Sequence, residues 1–174
     1  MKMMIRVTVM LIISAAIGIG ADYAFGQSQN QNSTDLSYLR PQEVAQQFLD
    51  AYNAHNVNRL MKYLSPDVVA VAPDLTVVNG AELNKRYFAA WFSSVPDVHD
   101  TIKSLTTGSD RFVLEVVETG TYTRRMPSAG APPAYGQKLH YPYVMVAMIK
   151  HGQISVMRLY EDDLVVERQL GVRP

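Results

Sequence analysis

The chain contains no cysteine. Disulfide bridges, a thiolate nucleophile, thiolate metal ligands and a lipid-modified cysteine behind a leader are therefore all excluded, and stability must rest on a packed core. It also lacks an excess of either charge, with 16 Lys and Arg against 16 Asp and Glu. A neutral chain without a Lys/Arg stripe has no long-range field to concentrate phosphates, so nucleic acid is not an expected partner. No glycine-rich phosphate loop, no Gly-x-Ser-x-Gly elbow and no pair of histidines at ligand spacing occurs. Nucleotide binding, serine-hydrolase chemistry and a metal centre therefore have no basis in the sequence, and no cofactor is expected.

What is present is ordinary globular material, 174 residues with 48% hydrophobic and 18% charged side chains, enough for one well-buried core. Residues 1–26 read as a signal peptide. Lys2 and Arg6 form a basic start, Val7 to Ile19 an apolar run too short to span a bilayer, and Ala24-Phe25-Gly26 a small-residue processing site. The expected address is periplasmic or secreted, with no membrane association after cleavage. Residues 27–39, rich in Gln, Asn and Ser at their start, read as a flexible spacer, and residues 40–174 as the folded domain.

Within that domain Pro41 suits a first helical turn, and Val44, Ala45, Phe48, Leu49 and Tyr52 recur at helical spacing. A second short helix is expected over Val57 to Leu64, closed by Ser65-Pro66. A hairpin then joins Val68–Ala72 to Thr76–Val78, and a third helix runs from Ala81 to Ser94. Strands follow at His99–Thr106, Phe112–Thr123, Lys138–Lys150 and Ile154–Glu161, and a last helix spans Asp162 to Gln169. Helices early and an antiparallel meander late predict an α+β cone, a curved antiparallel sheet with three N-terminal helices on its concave face. Such a cone holds one apolar pocket.

Four segments resemble the SnoaL-like polyketide cyclases of the NTF2-like superfamily. Val44 to Leu64, VAQQFLDAYNAHNVNRLMKYL, is similar to the first two helices of that family, and Gly80 to Asp97, GAELNKRYFAAWFSSVPD, to its third. Gly120 to Thr123, GTYT, resembles a Gly-Thr-His strand signature in which Tyr122 replaces the histidine. Ile154 to Gly171 resembles an ending in which Tyr-x-Asp precedes Gln-Leu-Gly, with Asp162 seven residues before Gln169. The resemblance implies a cofactor-independent cyclase or isomerase whose Asp162 acts as acid/base on a hydrophobic carbonyl compound. A ketosteroid-isomerase-like site is a poorer match, because Phe48 and Ala72 occupy its tyrosine and aspartate places. Of the Arg-x-Asp pair of limonene-type epoxide hydrolases, only Arg158 and Asp162 are echoed.

Arg158, Tyr160 and Asp162 share parity on one strand, so they converge in the cone if that face is concave. Asp162 is then a proton shuttle, or else the N-cap of the last helix. Tyr122 and His140 are further candidate proton carriers. Trp91, Phe88 and Tyr52 are candidates to line the pocket, although core packing explains an aromatic stripe equally. Met126 to Tyr135, with three prolines, is a candidate lid whose two end residues would touch substrate, or a plain surface loop. Two functions stay open: a catalyst, or a non-catalytic module binding a small hydrophobic molecule. A homodimer through the outer sheet face is expected by analogy.

Overall fold

The computed structural model describes residues 36–128 and 130–172. The segment read as a signal peptide, and the spacer up to residue 35, lie outside the described residues.

Helix α1 (Pro41–Asn53) begins with its proline at the first helical position, and the Glu43 carboxylate accepts the Arg40 amide at 2.8 Å. Its stripe of Val44, Ala45, Phe48, Leu49 and Tyr52 is buried as its spacing requires. Asn56 caps the amide of Arg59 at the start of α2 (Val57–Met61). That helix stops short of the predicted Leu64, where strand β1 (Leu64–Val71) begins instead. Ser65-Pro66 thus lies within a strand rather than ending a helix. Register shifts between Leu64 and Val69, and a proline is tolerated in such an irregular stretch because its missing amide is not needed there.

A turn held by Asp74, which accepts both the amide and the hydroxyl of Thr76 at 2.9 Å, leads to β2 (Val77–Asn79). Gly80, at φ 84°, precedes α3 (Ala81–Ser94). The meander follows as predicted: β3 (His99–Thr107), β4 (Arg111–Tyr122), β5 (Gln137–Lys150) and β6 (Gln153–Glu161). Helix α4 (Asp163–Gln169) closes the chain.

The six strands form one curved, open sheet in the order β2-β1-β6-β5-β4-β3. All neighbours are antiparallel except β1 and β6, which run parallel, a departure from the fully antiparallel sheet expected. Inward positions on β4 are Phe112, Leu114, Val116 and Glu118, opposite Ala147, Met145, Tyr143 and Tyr141 of β5. Helices α1 and α3 cover this face, so those side chains form the core and the cone wall.

Strand β6 pairs with β5 only from Tyr143 onward, leaving residues 137–142 without a strand on that side. Gln169 of α4 fills part of the gap: its amide oxygen accepts from the His140 amide and its nitrogen donates to the His140 carbonyl, both at 2.7 Å. No helix among the described residues is long and apolar enough to cross a membrane.

Candidate active site

The cone encloses a cavity of about 180 Å³ between α1, α3, the β1–β2 hairpin, the sheet and α4. Its walls are mostly apolar and aromatic. Phe48 and Tyr52 come from α1, Tyr87, Phe88 and Trp91 from α3, and Met145, Met157 and Leu159 from the sheet. The volume lies below the roughly 300–1,000 Å³ of a drug-sized pocket, so the space suits a compound of one or two rings.

Strand register builds a polar floor into this apolar wall. Asp100 on β3, Glu118 on β4 and Tyr141 on β5 are direct cross-strand neighbours, and Tyr143 stands opposite Glu161 of β6 in the adjoining row. Glu118 is only 3% exposed. One of its oxygens accepts from the Tyr52 hydroxyl at 2.6 Å and the other from the Tyr141 hydroxyl, with Trp91 and Asp100 also in hydrogen-bonding reach. The Tyr143 hydroxyl donates to Asp100 Oδ2 at 2.5 Å. Asn53 at the end of α1 clamps the backbone of Asp100 through its amide and carbonyl, at 2.8 and 2.9 Å, which sets Tyr52 beside the sheet.

The electrostatics follow from burial. Desolvation first, and the neighbouring Glu118 charge second, push Asp100 up to about 8. Glu118 is also raised by burial, against the opposing pull of its tyrosine and indole donors. Asp100 Oδ1 has no donor among the described residues, and two carboxyl oxygens can bond each other only when one carries a proton. The pair therefore holds a shared proton at neutral pH, as closely spaced carboxyls do. Burial and the adjacent acids hold Tyr52, Tyr141 and Tyr143 well above the ordinary phenol range, so all three remain donors.

Nearer the mouth, Glu161 lines the cavity without a hydrogen bond or ion pair among the described residues. Burial, then the charges of Glu118, Asp163 and Asp74, bring it up to about 7. Asp163 is raised likewise, by burial and then by Asp74 and Glu167. Among the described residues, no group of three or more His, Cys, Asp or Glu is arranged to hold a metal ion.

The residues singled out from sequence are dispersed. Trp91, Phe88 and Tyr52 line the cavity. Arg158 and Tyr160 are exposed on the outer sheet face, because the inward positions of this part of β6 are Met157, Leu159 and Glu161. Asp162 is exposed and accepts the Leu164 amide at 3.0 Å as the N-cap of α4. Tyr122 is buried away from the cavity, where its hydroxyl accepts from the Met126 amide and donates to the Pro132 carbonyl, fastening the proline-rich loop. Met126 is buried by that loop and Tyr135 is 82% exposed, so neither end of the loop lines the cavity. His140 is an exposed strand residue held through its backbone.

Glu118, Asp100, Tyr87, Tyr141, Tyr143 and Glu161 were not anticipated, although parity carried a signal for most of them. Glu118 continues the apolar series Phe112, Leu114, Val116, and Glu161 the series Met157, Leu159. A carboxylate at the end of an apolar series points inward.

Residues 42–170 match the family model of the SnoaL-like polyketide cyclases. No curated protein matches the chain. Among solved structures, the chain is similar to a candidate SnoaL-like polyketide cyclase from Jannaschia sp. CCS1, at 21% identity and a TM-score of 0.67, over 86% of this chain and all of that one. TsrD from Streptomyces laurentii is 26% identical at a TM-score of 0.65, over 76% of this chain and 95% of its own. IdmH, a candidate polyketide cyclase from Streptomyces antibioticus, is 18% identical at a TM-score of 0.64, over 76% of this chain and 99% of its own.

Proposed function

The chain belongs to the SnoaL-like polyketide cyclase family, and from that premise we propose that its cone binds a small hydrophobic carbonyl compound and moves a proton on it through Glu118, without a cofactor. The observation that carries this reading is a buried carboxyl group on the floor of an apolar cavity, oriented by Tyr52 and Tyr141 and paired with a proton-holding Asp100. Glu118 in its ionised form takes the proton from the carbon beside the carbonyl, and the electron pair moves onto the carbonyl oxygen as an enolate. The Tyr87 hydroxyl lines the cavity with no partner among the described residues and supplies a donor to that oxygen. Return of the proton to another carbon completes an isomerisation. Attack of the enolate carbon on a second carbonyl of the same molecule closes a ring instead, and the alkoxide formed takes the proton back from Glu118.

The test is exchange of the acidic C–H protons of 4-phenylbutan-2-one in D2O, followed by NMR. Wild-type protein should exchange them well above the buffer rate, and Glu118→Gln should reduce the excess by about 100-fold or more. Exchange at the buffer rate, with the ketone bound, overturns catalysis and favours a binding module. That second reading is supported by one observation, namely that both Glu118 oxygens already accept a tyrosine hydroxyl.

The same proposal takes the protein as exported and as a homodimer through the outer sheet face, where Met148 and Tyr160 are 43% and 56% exposed. Intact mass after expression with residues 1–26, and sedimentation, test the two points.

A further inference from the structure

Resting on the reading of the cone as a ligand site, we propose that its guest carries a positively charged nitrogen, a protonated or alkylated amine. The nitrogen sits at the cavity mouth between the carboxyl groups of Glu161, Asp163 and Asp74 and the ring of Tyr87.

The cavity wall contains Asp74, Glu118, Glu161, Asp163 and Glu167 and, among the described residues, no Lys, Arg or His. The chain is not short of bases, since it has 16. Those of the described residues lie outside that wall, and Lys138 and Arg158, for example, are exposed. An anionic group at the mouth meets net repulsion from Asp74, Glu161 and Asp163. A neutral guest leaves Glu161 desolvated and still without a partner.

A cation relieves both conditions, because it supplies the missing counter-charge and is attracted to the faces of aromatic rings. The rings are in place: Tyr87, Phe88 and Trp91 of α3 face the cavity with Tyr52 and Phe48 of α1. Tyr87 shares the cavity wall with Asp74, Glu161 and Asp163, and burial and then the charges of Glu118, Glu161 and Asp74 hold its phenol above the ordinary range. Tyr87 is part-buried, and its hydroxyl makes no hydrogen bond among the described residues, so the residue brings a free polar group to the cavity wall.

The groups around Glu161 are all acids or phenols: Glu118 on β4, Tyr143 on β5, Tyr87 on α3, Asp163 on α4 and Asp74 in the hairpin. Rising pH therefore adds only negative charge at the mouth. Affinity for a cation grows as pH passes through about 7, where Glu161 ionises.

Trp91 is the sole tryptophan of the chain and lies in the wall, so its fluorescence reports binding directly. Three probes share one phenethyl body and differ in charge: phenethyltrimethylammonium, 4-phenylbutan-2-one and 3-phenylpropanoate. At pH 8 the ammonium probe should bind about tenfold tighter than the ketone, and the carboxylate weakest. At pH 5.5 that advantage should shrink several-fold with the ketone unaffected, and Glu161→Gln should produce the same loss at pH 8. The wild-type pH series carries the test if the variant does not fold.

Equal binding of ketone and ammonium at pH 8 overturns the charge proposal and leaves the cone a ligand site. Failure of all three probes to alter Trp91 emission overturns both readings.

Discussion

Glu161 and Tyr160 are adjacent in β6, yet one lines the cavity and the other is more than half exposed on the far side of the sheet. The same division runs through the whole meander. The inner face gathers Asp100, Glu118, Tyr141 and Tyr143 into a connected hydrogen-bond system, while the outer face presents Lys138, His140, Arg158 and Tyr160 to water. Polar side chains occur on both faces, and on the inner face burial raises the carboxyl groups of Asp100, Glu118 and Glu161. Burial is what makes a carboxyl group reactive here, and a one-residue step along a strand decides whether burial occurs.

The largest effect should come from emptying the floor. Glu118→Ala takes the acceptor from two buried tyrosine hydroxyls, each worth roughly 1–3 kcal/mol when stranded, so a loss of about 2–6 kcal/mol is expected in urea unfolding at pH 5. Asp100 is protonated in the folded state at that pH, so its charge does not enter the comparison.

Next comes pH itself. Asp100 is held at about 8 in the folded chain against an ordinary 3.8, and Glu161 at about 7 against 4.5, so the folded state keeps protons that the unfolded chain has released. Stability is therefore fullest below about pH 4 for these two groups and falls as pH rises to about 8. The expected signature is a urea midpoint that drops between pH 5 and 8. A flat profile would mean that the floor acids are not buried as described.

A smaller effect is expected at Gly120, on the inner face of β4. A Cβ there would lie 2.3 Å from Val95 Cγ1 and 3.2 Å from Val98 Cα, and Val95 is fully buried. Gly120→Ala should lower stability by about 1–3 kcal/mol in the same assay.

The outer face supplies the contrast. Arg158→Ala and Asp162→Asn should each change stability by less than about 0.5 kcal/mol, since one side chain is exposed and the other substitution preserves a good N-cap. Ketone exchange should be unaltered in both. Loss of exchange in Asp162→Asn would reverse the assignment of faces.

Most of the architecture was legible because it follows from local rules. The apolar stripe of α1, the third helix from Ala81 to Ser94 and the four strands between His99 and Glu161 mark elements that the structure reproduces within a few residues. The end of α2 was misread because Pro66 stops a helix equally well as it sits in a bulged strand, and only the partner strand distinguishes the two cases. The site was harder. Alternation says which side chains share a face but not which face is concave, and Arg158, Tyr160 and Asp162, expected to converge only if theirs was the concave one, are exposed instead. Glu118 was missed for a different reason: its partners Tyr52 and Tyr141 are 66 and 23 residues away, and no local pattern joins them.

The grip of Gln169 on His140 has a consequence beyond folding. Half of β5 would otherwise present bare amide and carbonyl groups along its flank, an invitation for a strand from another molecule to add itself and start a chain of copies. One glutamine side chain occupies that place with the donor and acceptor a neighbouring strand would have offered. The residue that fastens the last helix beside the cavity thus also blunts the molecule against self-association, and its removal should be felt first in how concentrated a solution stays clear.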